Sequence, residues 1–288
     1  MNKLKIADRI STITNPPIIT IPLFAIICLT LSFTPEGFDL SKFIVLEVIS
    51  LIFASLLPMA IILYWAKKLG TDKDISNRGD RYTPLIVGII SYFIGFLISL
   101  IFNLDNFLTA LLLCYSVNTG VVLIITTKWK ISVHTTGLSG PVGALILLLG
   151  PFGAIFGVIY PVLIWSRVLL KKHTLAQAIA GGVQGFFLTV LEMYLYVWLF
   201  NFNGVVMIGL IESIMYVLAI ITTPVILAAL SYTRQPKKLF ILLEFVSLVI
   251  FLLMPAGVFA IFAIVSLTSV MVSYFAGPDF VWFRVLNS

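Results

Sequence analysis

Charge is scarce in this chain of 288 residues. Lysine, arginine, aspartate and glutamate together make up 10% of the sequence, whereas hydrophobic residues make up 60%. In a typical soluble domain about one residue in four is charged, because polar groups must cover its surface. The composition therefore excludes a soluble enzyme, a secreted module and a disordered tail, and it indicates a polytopic membrane protein.

Cysteine and histidine are rarer still, with two residues of each. Cys28 and Cys114 both lie inside apolar runs, where a thiol is expected to fill space in a buried core. A structural zinc site needs about four ligands at close spacing, and these four residues are scattered along the chain. We therefore expect no metal and no other cofactor.

Long apolar runs dominate what remains. Only α-helices and closed β-barrels satisfy their backbone in lipid, and barrel strands would alternate apolar and polar residues. Runs such as 43–65 are apolar at nearly every position, and about 20 such residues cross a bilayer as a helix. The sequence thus predicts an all-α transmembrane bundle of about ten helices. They are expected at residues 17–33, 43–65, 84–102, 107–126, 135–149, 152–170, 174–200, 205–230, 239–254 and 258–275.

The basic residues predict an orientation. With ten crossings both termini lie on one side, and every one of the 18 lysines and arginines except Lys42 then falls on that side. The positive-inside rule makes this side cytoplasmic. We therefore expect a multi-pass protein of the cell membrane with cytoplasmic termini. Because the net charge of +6 reports this topology, no nucleic-acid partner is expected.

Both histidines fall on the predicted cytoplasmic side, each at the start of a helix and close to lysines. A helix N-terminus favours anions, so a phosphate suits this setting. Arg167 ends one helix shortly before His173, and the turn between them can bring both side chains to one bound group. Gln177 lies one helical turn after His173 and is expected to accept a hydrogen bond from one imidazole nitrogen, leaving the other to attack. His134 would protonate the leaving oxygen.

Three short patterns carry a family resemblance. Ser166-Arg167, five residues, His173, three residues and Gln177 resemble the third signature of the type 2 phosphatidic acid phosphatase superfamily, in which aspartate stands at the last position. Ser132-Val133-His134 resembles a worn form of the second signature. Arg81-Tyr82-Thr83-Pro84, with Lys73 upstream, resembles the first. The three occur in the family's order and span about residues 67–200.

The resemblance implies a six-helix phosphatase core, which we place within residues 1–202. It does not cover residues 203–288, whose additional transmembrane helices we expect to pack on the core; an oligomer interface or a wider lipid groove is the alternative role. It implies metal-independent hydrolysis of a membrane lipid phosphate or diphosphate, prenyl or glycerolipid, through a phosphohistidine. By the same resemblance His173 is the nucleophile and His134 the general acid, and Gln177 can orient the nucleophile but lends no charge. The implied phosphate-binding residues are Arg167, Arg81, Ser132 and Lys73. Since Asp80 rather than Arg81 stands seven positions after Lys73, Arg78 and Lys130 are alternatives to Lys73.

Glycines in two helices predict how the site assembles. Gly137, Gly140 and Gly143 follow His134, and Gly181, Gly182 and Gly185 follow Gln177. Small residues let membrane helices approach closely. We therefore expect these two helices to pack together and to bring His134 near His173.

Four carboxylates within the apolar runs support a different function. An acidic side chain in a membrane span is costly and often functional. The alternative is thus a transporter, flippase or binding protein for an anionic lipid headgroup, with proton-carrying carboxylates. A membrane prenyltransferase is a third reading, and its magnesium-binding aspartates would have to come from Asp72, Asp74 and Asp80 in one loop. The four carboxylates are Glu47, Glu192, Glu212 and Glu244.

Overall fold

The computed structural model describes residues 3–70, 75, 77–202, 205, 207 and 209. This part of the chain is helical almost throughout, apart from a two-stranded antiparallel hairpin of β1 (Phe33–Thr34) and β2 (Gly37–Phe38) that pairs Phe33 with Phe38. A π-helical turn, Leu51–Leu56, joins α3 to α4. The helices are α1 (Lys3–Ile13), α2 (Pro16–Leu31), α3 (Leu40–Ser50), α4 (Leu57–Leu69), α5 (Tyr82–Ile101), α6 (Asn106–Lys128), α7 (Val133–Leu149), α8 (Pro151–Ala154), α9 (Ile159–Leu169) and α10 (Leu175–Leu199).

Among the described residues, five helical segments are long and apolar enough to cross a membrane, and α1 with α2, which meet at a bend of 57°, form a sixth if taken as one span. The all-α, multi-pass prediction is therefore confirmed. Each of the seven helices predicted up to residue 200 coincides with a helical segment, whereas those at 205–230, 239–254 and 258–275 lie outside the described residues, as do Glu212 and Glu244. The five segments are Leu40–Leu69, Gly79–Ile101, Asn106–Lys128, Phe152–Leu169 and Leu175–Leu199.

Prolines and acidic caps set many of the helix boundaries. Pro16 opens α2, where the missing N–H of proline is harmless. The side chains of Asp39 and Asp105 accept hydrogen bonds at the starts of α3 and α6. Gly150, with a φ of +57°, ends α7 one residue before Pro151 opens α8, so a break falls at the glycine–proline pair.

The centre of the bundle is α7. Almost every residue from His134 to Leu147 is buried, because α10 and α2 pack along this helix and α8, α9 and α6 also contact it. At 17 residues α7 is shorter than the candidate spans. Its enclosure by other helices explains how apolar residues can occupy all of its faces.

Glycines bring α7 and α10 into backbone contact, as predicted. A Cβ added at Gly185 would lie 2.7 Å from the carbonyl oxygen of Thr136, and one added at Gly143 would lie 3.3 Å from the Phe186 ring. Gly181 is equally close to the start of α7. Gly140 also faces α10, at Thr189, whereas Gly137 faces Pro16 of α2 and Gly182 faces Tyr160 of α9.

Candidate functional site

Two imidazoles and two guanidinium groups meet at one end of the bundle. His134 lies at the start of α7, His173 just before α10, Arg167 near the end of α9 and Arg81 just before α5. All four are at most 5% exposed. Both arginine charges act on both imidazoles, and His173 also acts on His134. We call these four residues the imidazole–arginine cluster.

The short segment 129–132, between α6 and α7, holds two members of the cluster through its backbone. Nδ1 of His173 lies 3.1 Å from the carbonyl oxygen of Lys130. Nη1 of Arg81 donates to the carbonyl oxygen of Ile131 at 3.4 Å, and its Nε donates to that of Ile75 at 2.8 Å. Main-chain carbonyls therefore orient both His173, the predicted nucleophile, and Arg81, a predicted phosphate-binding residue.

The Lys130 carbonyl also selects the tautomer of His173. A carbonyl oxygen only accepts hydrogen bonds, so Nδ1 carries the proton. Burial, together with the positive charges of Arg81, Arg167 and Lys130, lowers the pKa of His173 to about 3. The ring is therefore neutral at pH 7 and its lone pair resides on Nε2. That nitrogen is buried and has no hydrogen-bond partner among the described residues.

The N-terminal helix covers the cluster. Arg167 donates from Nη1 to the hydroxyl of Ser11, and His134 hydrogen-bonds the Ser11 backbone. The neighbouring Ser166 donates to the carbonyl oxygen of Ala7 at 2.7 Å. No role was predicted for α1 from the sequence. The available signal was its pair of small residues, Ala7 and Ser11, four apart on a segment that mixes polar and apolar residues.

Gln177 does not do what its spacing predicts. Its side-chain oxygen accepts from the Thr174 N–H at 3.1 Å, while its own N–H donates to the Thr174 hydroxyl at 3.2 Å. This reciprocal pair is a capping box at the start of α10. The predicted hydrogen bond from His173 to Gln177 is therefore wrong, because Nδ1 bonds the Lys130 carbonyl instead.

The remaining predicted residues surround the cluster in different ways. Ser132 is fully buried, and its hydroxyl caps α7 by accepting from the Thr135 N–H at 3.4 Å. Lys130 is half-buried and its charge acts on His173. Arg78 is exposed and donates to the carbonyl oxygen of Lys128 at 2.7 Å. Lys73 lies outside the described residues.

A cavity of about 120 Å³ runs between the helices, and its lining residues include two members of the cluster, Arg81 and His134, but not Arg167 or His173. Arg81 and His134 line one end of it, while Tyr115, Asn118 and Thr189 line it deeper along α6 and α10. Its volume is several times what one water molecule needs. A ligand held by the arginine and the imidazole can therefore extend a polar or apolar group between the helices.

A buried polar network lies beside the deep part of this cavity. The amide of Asn118 donates to the Thr189 hydroxyl and to a carboxylate oxygen of Glu192, both at 3.1 Å. Gln184 donates to the Asn118 side-chain oxygen at 2.8 Å, and the Thr136 hydroxyl lies 3.3 Å from the Gln184 oxygen. The network thus connects a carboxylate inside α10 with the first turn of α7. Glu192 is the predicted membrane carboxylate that it engages.

The electrostatics of the cluster favour an anion. Within the described part of the chain, the charged side chains that act on the two imidazoles are Arg81, Arg167 and Lys130, and all are positive. An oxyanion placed among them would accept charge-assisted hydrogen bonds, which are about twice as strong as neutral ones.

The chain matches no family model, no curated protein and no solved structure.

Proposed function

We propose that this protein is an integral membrane phosphatase that hydrolyses a lipid phosphate or diphosphate through a phosphohistidine, without a metal. The observation that carries the proposal is the buried Nε2 of His173, which has no hydrogen-bond partner among the described residues. The charges of Arg81 and Arg167 act on the His173 ring, and His173 in turn interacts with the second imidazole, that of His134. This grouping supplies a nucleophile, an anion site and a proton donor within one cluster.

The first step transfers the phosphoryl group to the protein. The lone pair on Nε2 of His173 attacks phosphorus, while the bond from phosphorus to the lipid oxygen breaks. Arg81 and Arg167 bind the phosphate oxygens as negative charge shifts toward the leaving oxygen. The Lys130 carbonyl, already bonded to Nδ1–H, stabilises the positive charge that forms on the ring.

His134 protonates the lipid oxygen as it leaves. Burial, together with the positive charges of Arg167 and Arg81, lowers the pKa of His134. A bound phosphate offsets those charges and so favours the protonated ring. Water then attacks the phosphohistidine, His134 takes up the water proton, and inorganic phosphate leaves with His173 restored to its neutral form.

The basic residues around this end of the bundle support a cytoplasmic site. Lys67 and Lys68 end α4, Lys128 ends α6, and Lys171 and Lys172 follow α9. The same loops carry Arg81, His134 and His173. A lipid phosphate in the inner leaflet would thus lie at the depth of the cluster while its chain remains among the helices.

The test is phosphate release by the purified protein. Wild type should release phosphate from phosphatidate or a prenyl phosphate in the presence of a chelator, and His173→Ala should abolish release. Lys67→Ala, an exposed basic residue at the end of α4, is the matched control and should retain wild-type activity. Equal release by wild type and His173→Ala, or loss of release in the chelator, would overturn the proposal.

A second candidate function is transport of an anionic lipid headgroup. The buried carboxylate of Glu192 and its hydrogen bonds to the Asn118 network favour it, because a membrane-embedded acid can carry a proton. Reconstituted vesicles separate the two candidates. Lipid movement without phosphate release, lost in Glu192→Gln, would favour transport, whereas phosphate release that survives Glu192→Gln would favour hydrolysis.

A further inference from the structure

The described arrangement closes part of the imidazole–arginine cluster to a ligand. His173 is 5% exposed and Arg167 is fully buried. Neither of them lines the cavity that Arg81 and His134 border. A ligand can therefore reach Nε2 of His173 only if an element that covers the cluster moves.

The helix α1 covers the cluster through two small residues. The Ser11 hydroxyl accepts a hydrogen bond from Nη1 of Arg167, and the Ser11 backbone bonds His134. One turn earlier, the Ala7 carbonyl oxygen accepts from the Ser166 hydroxyl at 2.7 Å. Because Ser11 engages an N–H of Arg167 that an anion would otherwise accept, α1 and an anion compete for the same guanidinium group. The bend of 57° between α1 and α2 lets α1 move while α2 stays in the bundle.

Another side of α1 combines an isoleucine stripe with basic residues. Ile6, Ile10 and Ile13 have the i, i+4, i+7 spacing of a single helix face. Ile13 is 62% exposed, whereas Ile6 and Ile10 are half-buried. Lys5 and Arg9 are exposed and lie four residues apart beside this stripe. An apolar stripe next to lysine and arginine is typical of helices that lie in a membrane interface.

An anionic lipid surface is the partner that this side of α1 fits. Negative headgroups attract Lys5 and Arg9, and the isoleucines enter the boundary of the acyl chains. While α1 covers the cluster, the bundle shields part of Ile6 and Ile10, whereas a released α1 can insert the whole stripe. A partner shifts an equilibrium only by binding one of the two states better. The lipid surface therefore favours the released position.

We infer that α1 binds the anionic surface of the surrounding leaflet through Lys5, Arg9 and the isoleucine stripe, and that this binding draws Ser11 away from Arg167 and opens the cluster. The lipid acts here as a regulator at the outside of α1 and is not consumed. The inference rests on the proposed function only for what enters the open cluster, because the movement of α1 requires no hydrolysis.

Chemical modification of His173 measures the opening independently of phosphate release. Diethyl pyrocarbonate is uncharged and acylates a neutral imidazole nitrogen, so the buried Nε2 reacts only when the cluster opens. The full-length protein is reconstituted in phosphatidylcholine vesicles and in vesicles that also contain phosphatidylglycerol, and mass spectrometry separates His173 from His134. We expect phosphatidylglycerol to speed modification of His173 about 5- to 30-fold, the range set by one or two basic residues at an anionic surface.

Matched variants assign the lipid effect to α1. Lys5→Gln combined with Arg9→Gln should abolish the effect. Lys67→Gln combined with Lys68→Gln removes the same charge at the end of α4 and should keep it. Ser11→Ala should speed modification of His173 already in phosphatidylcholine, because it removes a hydrogen bond that holds α1 over the cluster.

Several outcomes would overturn the inference. These are equal modification rates in the two kinds of vesicle, slower modification in the anionic vesicles, and a lipid effect that survives loss of the Lys5 and Arg9 charges. A rate that rises with protein density in phosphatidylcholine would also overturn it, since α1 would then serve a second copy of this chain.

Phosphate release from a lipid phosphate in the same vesicles is scored separately. Lipid-dependent opening without release would overturn the phosphatase proposal and leave the role of α1 standing. Release without any lipid effect on His173 modification would overturn the role of α1 and leave the phosphatase proposal standing.

Discussion

Nδ1 of His173 and the carbonyl oxygen of Lys130 lie 3.1 Å apart, although 43 residues separate them in the sequence. In many catalytic sites a carboxylate orients the histidine. Here the orienting group belongs to the main chain, so it cannot be protonated and cannot change with a side-chain substitution at residue 130. The bond makes Nε2 the nitrogen with the lone pair at neutral pH.

The protonation state of His173 can be observed directly, because the chain has two histidines. We expect nitrogen-15 NMR of histidine-labelled protein to show the Nδ1–H tautomer for His173. With a pKa of about 3, the ring should stay neutral from pH 8 down to about pH 4. Its charged form should then appear only on further acidification. A His173→Asn variant assigns the signal, and titration near pH 6.5 would contradict the described environment.

Gln177 should contribute to stability and not to imidazole orientation. Gln177→Ala removes half of the capping box at the start of α10, so we expect a loss of roughly 0.5–1.5 kcal/mol in unfolding free energy. Thr174→Ala should cause a similar loss, since it breaks the same reciprocal pair. The tautomer and pKa of His173 should be unchanged in both variants. A shifted His173 titration in Gln177→Ala would restore the role predicted from its spacing.

The contact between α7 and α10 should not tolerate a single added methyl group. A Cβ at Gly185 would lie 2.5 Å from the Ser139 hydroxyl and 2.7 Å from the Thr136 carbonyl oxygen. We expect Gly185→Ala to destabilise the protein by about 1–3 kcal/mol through overpacking. Gly120→Ala is the matched control within α6, where an added Cβ meets nothing within 4 Å. It should be neutral or stabilising by up to about 1 kcal/mol, as judged from thermal unfolding in detergent.

Removal of the Ser11 hydroxyl should loosen the cover over the cluster. Ser11→Ala breaks the hydrogen bond from Arg167, so we expect a stability loss of about 1 kcal/mol and faster proteolysis within α1. Thr12→Ala serves as the control, because the Thr12 hydroxyl bonds the Asp8 carbonyl within α1. Equal cleavage rates in the two variants would show that Ser11 does not hold α1 in place.

The apolar runs and their breaks predicted most of the described fold. In a membrane the backbone must satisfy itself, so a long apolar run has few alternatives to a helix. The glycines were equally informative, because their spacing exposes the helix face along which α7 and α10 approach. The cluster of His134, His173 and Arg167 also followed from spacing, since each lies at a helix end on the same side.

The remaining features depend on groups that a side-chain pattern does not reveal. The carbonyls of Lys130 and Ile131 are present in every sequence. Only the tight turn between α6 and α7, in which the Ile131 N–H donates to the Trp129 carbonyl, directs them at His173 and Arg81. Tyr115 gives no signal in an apolar run of α6 until the cavity beside it is known. Gln177 was the exception. Threonine followed three residues later by glutamine is a capping signature, and that local pairing outweighed the more distant imidazole.

The path from Trp129 to Ser132 has a consequence for how this site tolerates change. The length and backbone course of this segment matter more than its side chains. Its peptide carbonyls bind Arg81, which precedes α5, and His173, which precedes α10. Substitution of the half-exposed Lys130 side chain leaves both carbonyl contacts in place. Insertion of one residue would reorient the following peptide groups, so that Arg81 and His173 would lose their carbonyl partners together.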